Sequence, residues 1–272
     1  MSAADAILRL DDLSLGYPAH GPSPAVEAVR GVTLRVDAGQ VVGMLGESGS
    51  GTSSIARLIA QPGLAPGRGQ GAPAIEGGSI ALFGTELRRA SARRLDRLRA
   101  EVGYLAQDAA ATLDPHRTTL ELVAAPLHAR LRRGQELPDA LRQRVRDVLV
   151  AVELPPELLR AFPHELSRGQ RQRVAIARAI VTAPRLLIAD DLTAGLDPAV
   201  RPGIVRTLAE LRRLEGFSAL VISHDLDVLE PLVDRLDVLH RGALVGSGTV
   251  AQVLGDPWHP YVQRLAQLRA ER

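Results

Sequence analysis

The chain predicts an α/β fold built on a mainly parallel sheet with helices on its faces. Short apolar runs alternate with helical periods through its second half. A strand-like run at residues 41–45 passes directly into a glycine-rich turn and then a helix. Residues 108–165 carry helical periods without a strand-like run, which marks a segment inserted into the alternating pattern.

Taken in order, residues 7–15, 32–36 and 41–45 are apolar or alternating runs bounded by turn residues, and each predicts a strand. Residues 53–60 predict the helix after the glycine-rich turn. Residues 61–74 are dense in glycine and proline and predict a surface loop. Strands follow at 80–83 and 102–106, with an arginine-rich amphipathic helix at 88–99 whose charges form a solvated face. In the inserted segment the clearest helical periods are 120–131 and 141–152, with Pro155-Pro156 as punctuation. Beyond it, strands at 186–189, 219–222, 235–239 and 244–245 are separated by helices at 170–181, 199–214 and 226–233. The expected organisation is a core over 1–107 and 166–272, with 108–165 as an inserted helical subdomain.

At 272 residues, 46% hydrophobic and 24% charged, the composition is that of a soluble globular protein. Its 33 basic and 31 acidic side chains leave a net charge of +2, which gives no ground for a nucleic-acid partner. Zero cysteines exclude disulfides, thiolate metal sites and a cysteine-held iron–sulfur cluster in this chain. No run reaches the 18 or so apolar residues of a spanning helix, and the first residues lack a signal-peptide pattern, so membrane association is expected through a partner.

Gly46-Glu47-Ser48-Gly49-Ser50-Gly51-Thr52-Ser53 follows the phosphate-loop spacing G-x-x-x-x-G-K-[ST], except that threonine stands where lysine belongs. The glycines let backbone N–H groups wrap a phosphate, and the Ser53 hydroxyl suits Mg²⁺. The lost charge-assisted hydrogen bond contributes about 1.5–3 kcal/mol, or about one to two powers of ten in affinity. The sequence contains no lysine, so all 33 basic residues are arginine and no other lysine of the chain substitutes.

Further along, Leu166-Ser167-Arg168-Gly169-Gln170-Arg171-Gln172-Arg173 resembles the LSGGQ-x-QR signature of ATP-binding-cassette (ABC) ATPases. Leu186-Leu187-Ile188-Ala189-Asp190-Asp191 resembles their Walker B strand. Gly195-Leu196-Asp197-Pro198 is similar to the D-loop, and Ile222-Ser223-His224-Asp225 to the switch-histidine segment. Tyr104-Leu105-Ala106-Gln107-Asp108 resembles the Q-loop, and Tyr17 stands at the adenine-stacking position. The motifs run in family order from Tyr17 to His224.

The resemblance implies a P-loop NTPase of ABC type with an added antiparallel β region, binding ATP and Mg²⁺. Tyr17, Gly46, Ser48, Gly49, Ser50, Gly51, Thr52, Ser53 and Ser54 are the nucleotide-binding positions it marks. Ser53, Gln107 and Asp190 are its Mg²⁺ positions. Asp191, Gln107 and His224 are its catalytic positions. Ser167, Arg168, Gly169 and Gln170 form the signature that completes the ATP site of a second subunit, with Asp197 in the D-loop.

This sequence departs from the family pattern at Thr52, Arg168, Asp191 and Leu192. Asp191 replaces the usual glutamate, which keeps the charge and shortens the arm, and positioned proton transfer is worth about 10²–10⁴-fold. Leu192 stands where proline is usual. Arg168 replaces a glycine, and either crowds a partner's phosphate or adds a cation to it.

Gln107-Asp108, Thr112-Leu113-Asp114-Pro115 and Leu120-Glu121 together resemble the Q-D-x-x-x-S-L-[DN]-P region of ATPase subunits of peptide and nickel importers. Asp256-Pro257-Trp258-His259-Pro260-Tyr261 is similar to their HPYT element. The implied role is the degenerate, weakly hydrolysing half of a heterodimeric ATPase pair importing peptide, nickel or a metal chelate. The implied partners are a second ATPase subunit, two transmembrane permease subunits and an extracellular solute-binding protein, placing the chain at the cytoplasmic face of the plasma membrane. Two other readings stand beside it: a non-transport regulatory or assembly module, and a nucleotide-independent scaffold.

Overall fold

The computed structural model describes residues 6–19, 24–61, 73–131 and 135–271. Strands β1 (Ala6–Tyr17) and β2 (Val26–Asp37) pair antiparallel, and the chain then enters β3 (Val41–Leu45) and α1 (Thr52–Ala60). β4 (Ala74–Leu82) and β5 (Thr85–Glu86) extend the first sheet in the order β2-β1-β4-β5. After α2 (Ala92–Ala100) and β6 (Val102–Leu105) come α3 (Thr119–His128), α4 (Asp139–Ala151) and α5 (Arg168–Ile180). The chain continues through β7 (Leu186–Asp190), α6 (Arg201–Glu215), β8 (Ser218–Ser223), α7 (Leu226–Leu229) and β9 (Arg235–His240). It ends with β10 (Ala243–Gly248), α8 (Val250–Gly255) and α9 (Pro260–Ala270).

The second sheet has six strands in the order β10-β9-β3-β8-β7-β6, all parallel except β10, which pairs antiparallel with β9. Its strands β3, β7 and β8 are buried along their whole length. Because successive side chains on a strand face opposite ways, each of these strands feeds two cores. Val42, Met44, Leu186, Ile188, Leu220 and Ile222 pack towards the antiparallel sheet, with Ile55 and Ile59 of α1. Val41, Leu45, Leu187, Ala189, Ala219 and Val221 pack the other way, with Val123 of α3, Leu149 of α4, Ile176 of α5 and Ile204 of α6.

The predicted elements are present, with shifts that have local causes. The strand expected at 7–15 runs on to Tyr17, because β4 pairs with it as far as Gly16. The helix expected at 88–99 begins only at Ala92, where the Ser91 hydroxyl accepts from the Arg94 amide; Leu87–Arg89 is a 3-10 turn. The helix expected at 226–233 stops at Leu229, since Pro231 has no N–H for the next helical bond. The loop expected at 61–74 lies almost wholly outside the described residues. The sequence reading missed α8 and α9. Among the described residues no helix is long and apolar enough to cross a membrane.

Arg144 ties α4 to two other helices. Its guanidinium donates to the carbonyls of Ile180 and Val181 at the end of α5, at 3.1 and 3.2 Å. It also forms a bidentate pair with Glu215 at the end of α6, at 2.6 and 2.8 Å. A cation at two helix C-termini satisfies carbonyls that the helices leave open. Arg144→Ala is expected to lower stability by about 1.5–3 kcal/mol, because it strands a half-buried carboxylate and two carbonyls. Urea unfolding followed by circular dichroism measures this, and an unchanged midpoint would contradict it.

Candidate nucleotide-binding site

The carboxyl ends of the parallel strands carry the predicted motifs to one place, the usual location of ligand sites in open α/β sheets. The loop after β3 is fastened on both sides. The Gly46 amide donates to Ser223 O at 3.3 Å, and Ser50 O accepts from the Gly242 amide at 3.0 Å. Gly51 has a φ of +100°, and a Cβ there would meet Ala28 O at 2.3 Å, so only glycine lets the loop turn so close to β2. α1 starts immediately afterwards and points its N-terminal amides into the loop.

A cavity of about 700 Å³ opens over this loop. It is lined by Tyr17, by Gly46, Glu47, Ser48, Gly49, Gly51, Thr52, Ser53 and Ser54 of the loop, and by Gln107, Asp190, Asp191, Ser223 and His224. Motifs separated by as many as two hundred residues thus meet in one space. Ser50 lies beneath it, 3% exposed, with a hydroxyl close against Gly46. Ser167, Arg168, Gly169, Gln170 and Asp197 do not line it. Ser167 caps α5, its Oγ accepting from the Gln170 amide at 3.2 Å while Gln170 Oε1 accepts from the Ser167 amide at 2.8 Å. Arg168 and Asp197 are exposed, and Arg168 borders a separate cleft with Gln107, Asp108 and Gly195.

Ser53 Oγ donates to Asp190 Oδ1 at 3.1 Å, so a hydroxyl and a carboxylate already stand together at the β7 end of the cavity. Burial pushes the Asp190 carboxyl above the ordinary value of 3.8, against the pull of the Ser53 hydrogen bond and of Arg57. Asp191 adopts a left-handed φ of +54° and donates its amide to Ile222 O at 2.9 Å. Aspartate accepts that conformation more readily than most residues. Its Oδ2 lies 3.3 Å from His224 Nδ1. Burial raises its pKa too, with His224 pulling it down. Leu192, where the family pattern has proline, is fully buried and its carbonyl accepts from Gln172 Nε2 at 2.7 Å, which ties α5 to the segment after β7.

Two buried polar atoms of the site lack a partner among the described residues: Ser50 Oγ and Asp191 Oδ1. Unpaired buried groups cost about 1–3 kcal/mol each. Amides and hydroxyls at the loop, with Asp190 and Gln107 beside them, form a donor set suited to a phosphate and a hard cation. Among the described residues no cluster of three or more His, Cys, Asp or Glu could hold a metal alone, so a cation here would share its coordination with the phosphate. Among the described residues no arginine lines the cavity. Arg57 and Arg201 act on Asp190 and Asp191 from outside the lining.

Tyr17 lines the cavity from the end of β1, and its phenol lies 2.9 Å from Ser54 Oγ. Tyr261 and Leu265 of α9 also line it. The sequence singled out the tail containing Tyr261 but gave no reason to place it here, because only the packing of α9 brings it to the loop.

A family model described as ABC transporter matches residues 29–194. The chain is 36% identical over 247 residues to the oligopeptide transport ATP-binding protein OppF of Salmonella typhimurium, covering 90% of this chain and 70% of that protein. It is 32% identical over 266 residues to OppF of Lactococcus lactis, covering 95% and 79%. Among solved structures, it is similar to a dimeric post-hydrolysis state of the ATP-binding cassette MJ0796 bound to ADP and Pi, with a TM-score of 0.74 and 27% identity, covering 89% of this chain and 98% of that one. CbiO1 from Clostridium perfringens, part of the ABC transporter complex cbiONQ, aligns with a TM-score of 0.75 and 26% identity, covering 97% and 96%.

The raised pKa of Asp190 has a defined sign. The folded state holds its proton more tightly than the unfolded chain, so this group's contribution to stability falls as pH rises from 3.8 through the raised folded value. Asp190→Asn removes that loss and is expected to raise the melting temperature at neutral pH. Calorimetry checks this, and a lower melting temperature would contradict it.

Proposed function

The chain belongs to the ABC transporter family, and on that premise we propose that it is the ATP-binding subunit of an oligopeptide importer whose own ATP site is weak. The observation that carries this reading is the single cavity that joins the loop, Asp190, Asp191, His224 and Tyr17 yet, among the described residues, has no lysine or arginine in its lining. Such a cavity can wrap a triphosphate with amides and hydroxyls, but it supplies no fixed cation to the phosphates. The kinship to OppF supports peptide uptake over nickel or metal-chelate uptake.

In this reading the adenine meets Tyr17 and the phosphates lie over Gly46–Ser54. Mg²⁺ would be held by Ser53, Asp190 and Gln107, and when bound it neutralises charge on the β- and γ-phosphate oxygens. Asp191 lines the cavity with its Oδ2 3.3 Å from His224 Nδ1, and this pair would orient a water that attacks the γ-phosphate. The shorter arm of aspartate makes that positioning poor, so turnover at this site is slow.

The weak site implies a partner. We assign residues 108–165 as an inserted helical subdomain that docks a membrane subunit together with the Q-loop. Ser167 and the α5 N-terminus face a second ATPase subunit, whose own loop is intact. Two permease subunits and an external solute-binding protein complete the complex, which holds this chain at the cytoplasmic face of the membrane.

Titration of a fluorescent ATP analogue with and without Mg²⁺ tests nucleotide binding, and failure to bind at about millimolar concentration would favour a nucleotide-independent scaffold. Thr52→Lys is expected to tighten ATP binding about 10- to 100-fold by restoring one charge-assisted bond. In the assembled complex, Thr52→Lys with Asp191→Glu is expected to raise turnover at this site. Rapid ATP hydrolysis by the unaltered chain alone, at about 1–100 s⁻¹, would refute the weak-site assignment.

A further inference from the structure

The tail at residues 256–261 ends against the cavity and has had no part in the chemistry so far. α9 begins at Pro260, behind His259, whose Nδ1 accepts from the Tyr261 amide at 3.2 Å. Tyr261 is 6% exposed. Its ring stacks on His240 at the end of β9, with centroids 4.4 Å apart and planes at 18°. The ring is therefore fixed by its own helix cap and by the neighbouring strand. Leu265 follows four residues later, on the same face of α9, half-buried against the larger core.

These two side chains line the same cavity as Tyr17, Val26 and Ala28. The two ends of that cavity differ in chemistry. The loop presents amides and hydroxyls, which suit phosphate. α9 presents an aromatic ring and a branched aliphatic chain, which suit the faces of a base and a ribose.

We infer that Tyr261 and Leu265 form, with Tyr17, the base-and-ribose wall of the nucleotide site, so that the C-terminal helix takes part in binding ATP. The inference rests on the nucleotide reading of the cavity given above. His240 and His259 act only by setting the Tyr261 ring.

Isothermal titration of the full-length chain with MgATP, and separately with magnesium tripolyphosphate, tests it, because the second ligand has phosphates but no base. Leu265→Ser and Tyr261→Ala are expected to raise the dissociation constant for ATP about tenfold, as loss of a base contact does, and to leave that for tripolyphosphate unchanged. Tyr261→Phe keeps the ring and is expected to keep ATP affinity. Equal weakening of both ligands, or no change in either, overturns the inference. If Tyr261→Ala does not fold, Leu265→Ser at its half-buried position decides alone. An unaltered chain that binds ATP beside unaffected variants sinks only the role of α9, whereas an unaltered chain that binds neither ligand sinks the nucleotide site itself.

Discussion

Burial of β3, β7 and β8 on both faces is the constraint from which the rest of the structure follows. A strand whose every side chain is committed to one of two cores cannot slip by one residue without exchanging its faces. Val41 and Val42 belong to different cores, as do Leu187 and Ile188. The register so fixed sets where each strand ends, and every motif of the cavity hangs from such an end. Asp190 is the last residue of β7, Ser223 the last of β8, and Gly46 follows directly on β3. The backbone bonds from Gly46 to Ser223 and from Asp191 to Ile222 then hold neighbouring loops together.

The site built on this frame is electrostatically lopsided. It buries Asp190 and Asp191 and raises both pKa values by desolvation, yet among the described residues its lining includes no permanent cation. Helix and loop amides supply positive potential at the lining, and Arg57 and Arg201 add to it from outside. The buried oxygens Ser50 Oγ and Asp191 Oδ1, without a partner among the described residues, add a cost to this arrangement.

The C-terminal region adds a layer to this picture. β9 and β10 bring Gly242 to the back of the loop, where its amide holds Ser50 O. His240 at the end of β9 then carries Tyr261. The tail is thus joined to the loop through one short chain of contacts.

The local features of this protein were legible in its sequence. Periods of two and 3.6 residues revealed nearly all the strands and helices, because burial on a face is written residue by residue. The glycine spacing revealed the loop, because a left-handed turn against a backbone carbonyl admits only glycine. The order of the motifs revealed the family. Pairings across long separations were decided by tertiary structure alone. Ser53 meets Asp190 from 137 positions away, Tyr17 meets Ser54 from 37 positions away, and α9 reaches a cavity that its own sequence does not describe. Such meetings depend on strand order and on how helices pack over strand ends, and no local pattern encodes either. The absence of lysine was plain from composition, but that no arginine among the described residues takes its place in the cavity lining became visible only when the walls of the cavity were assembled.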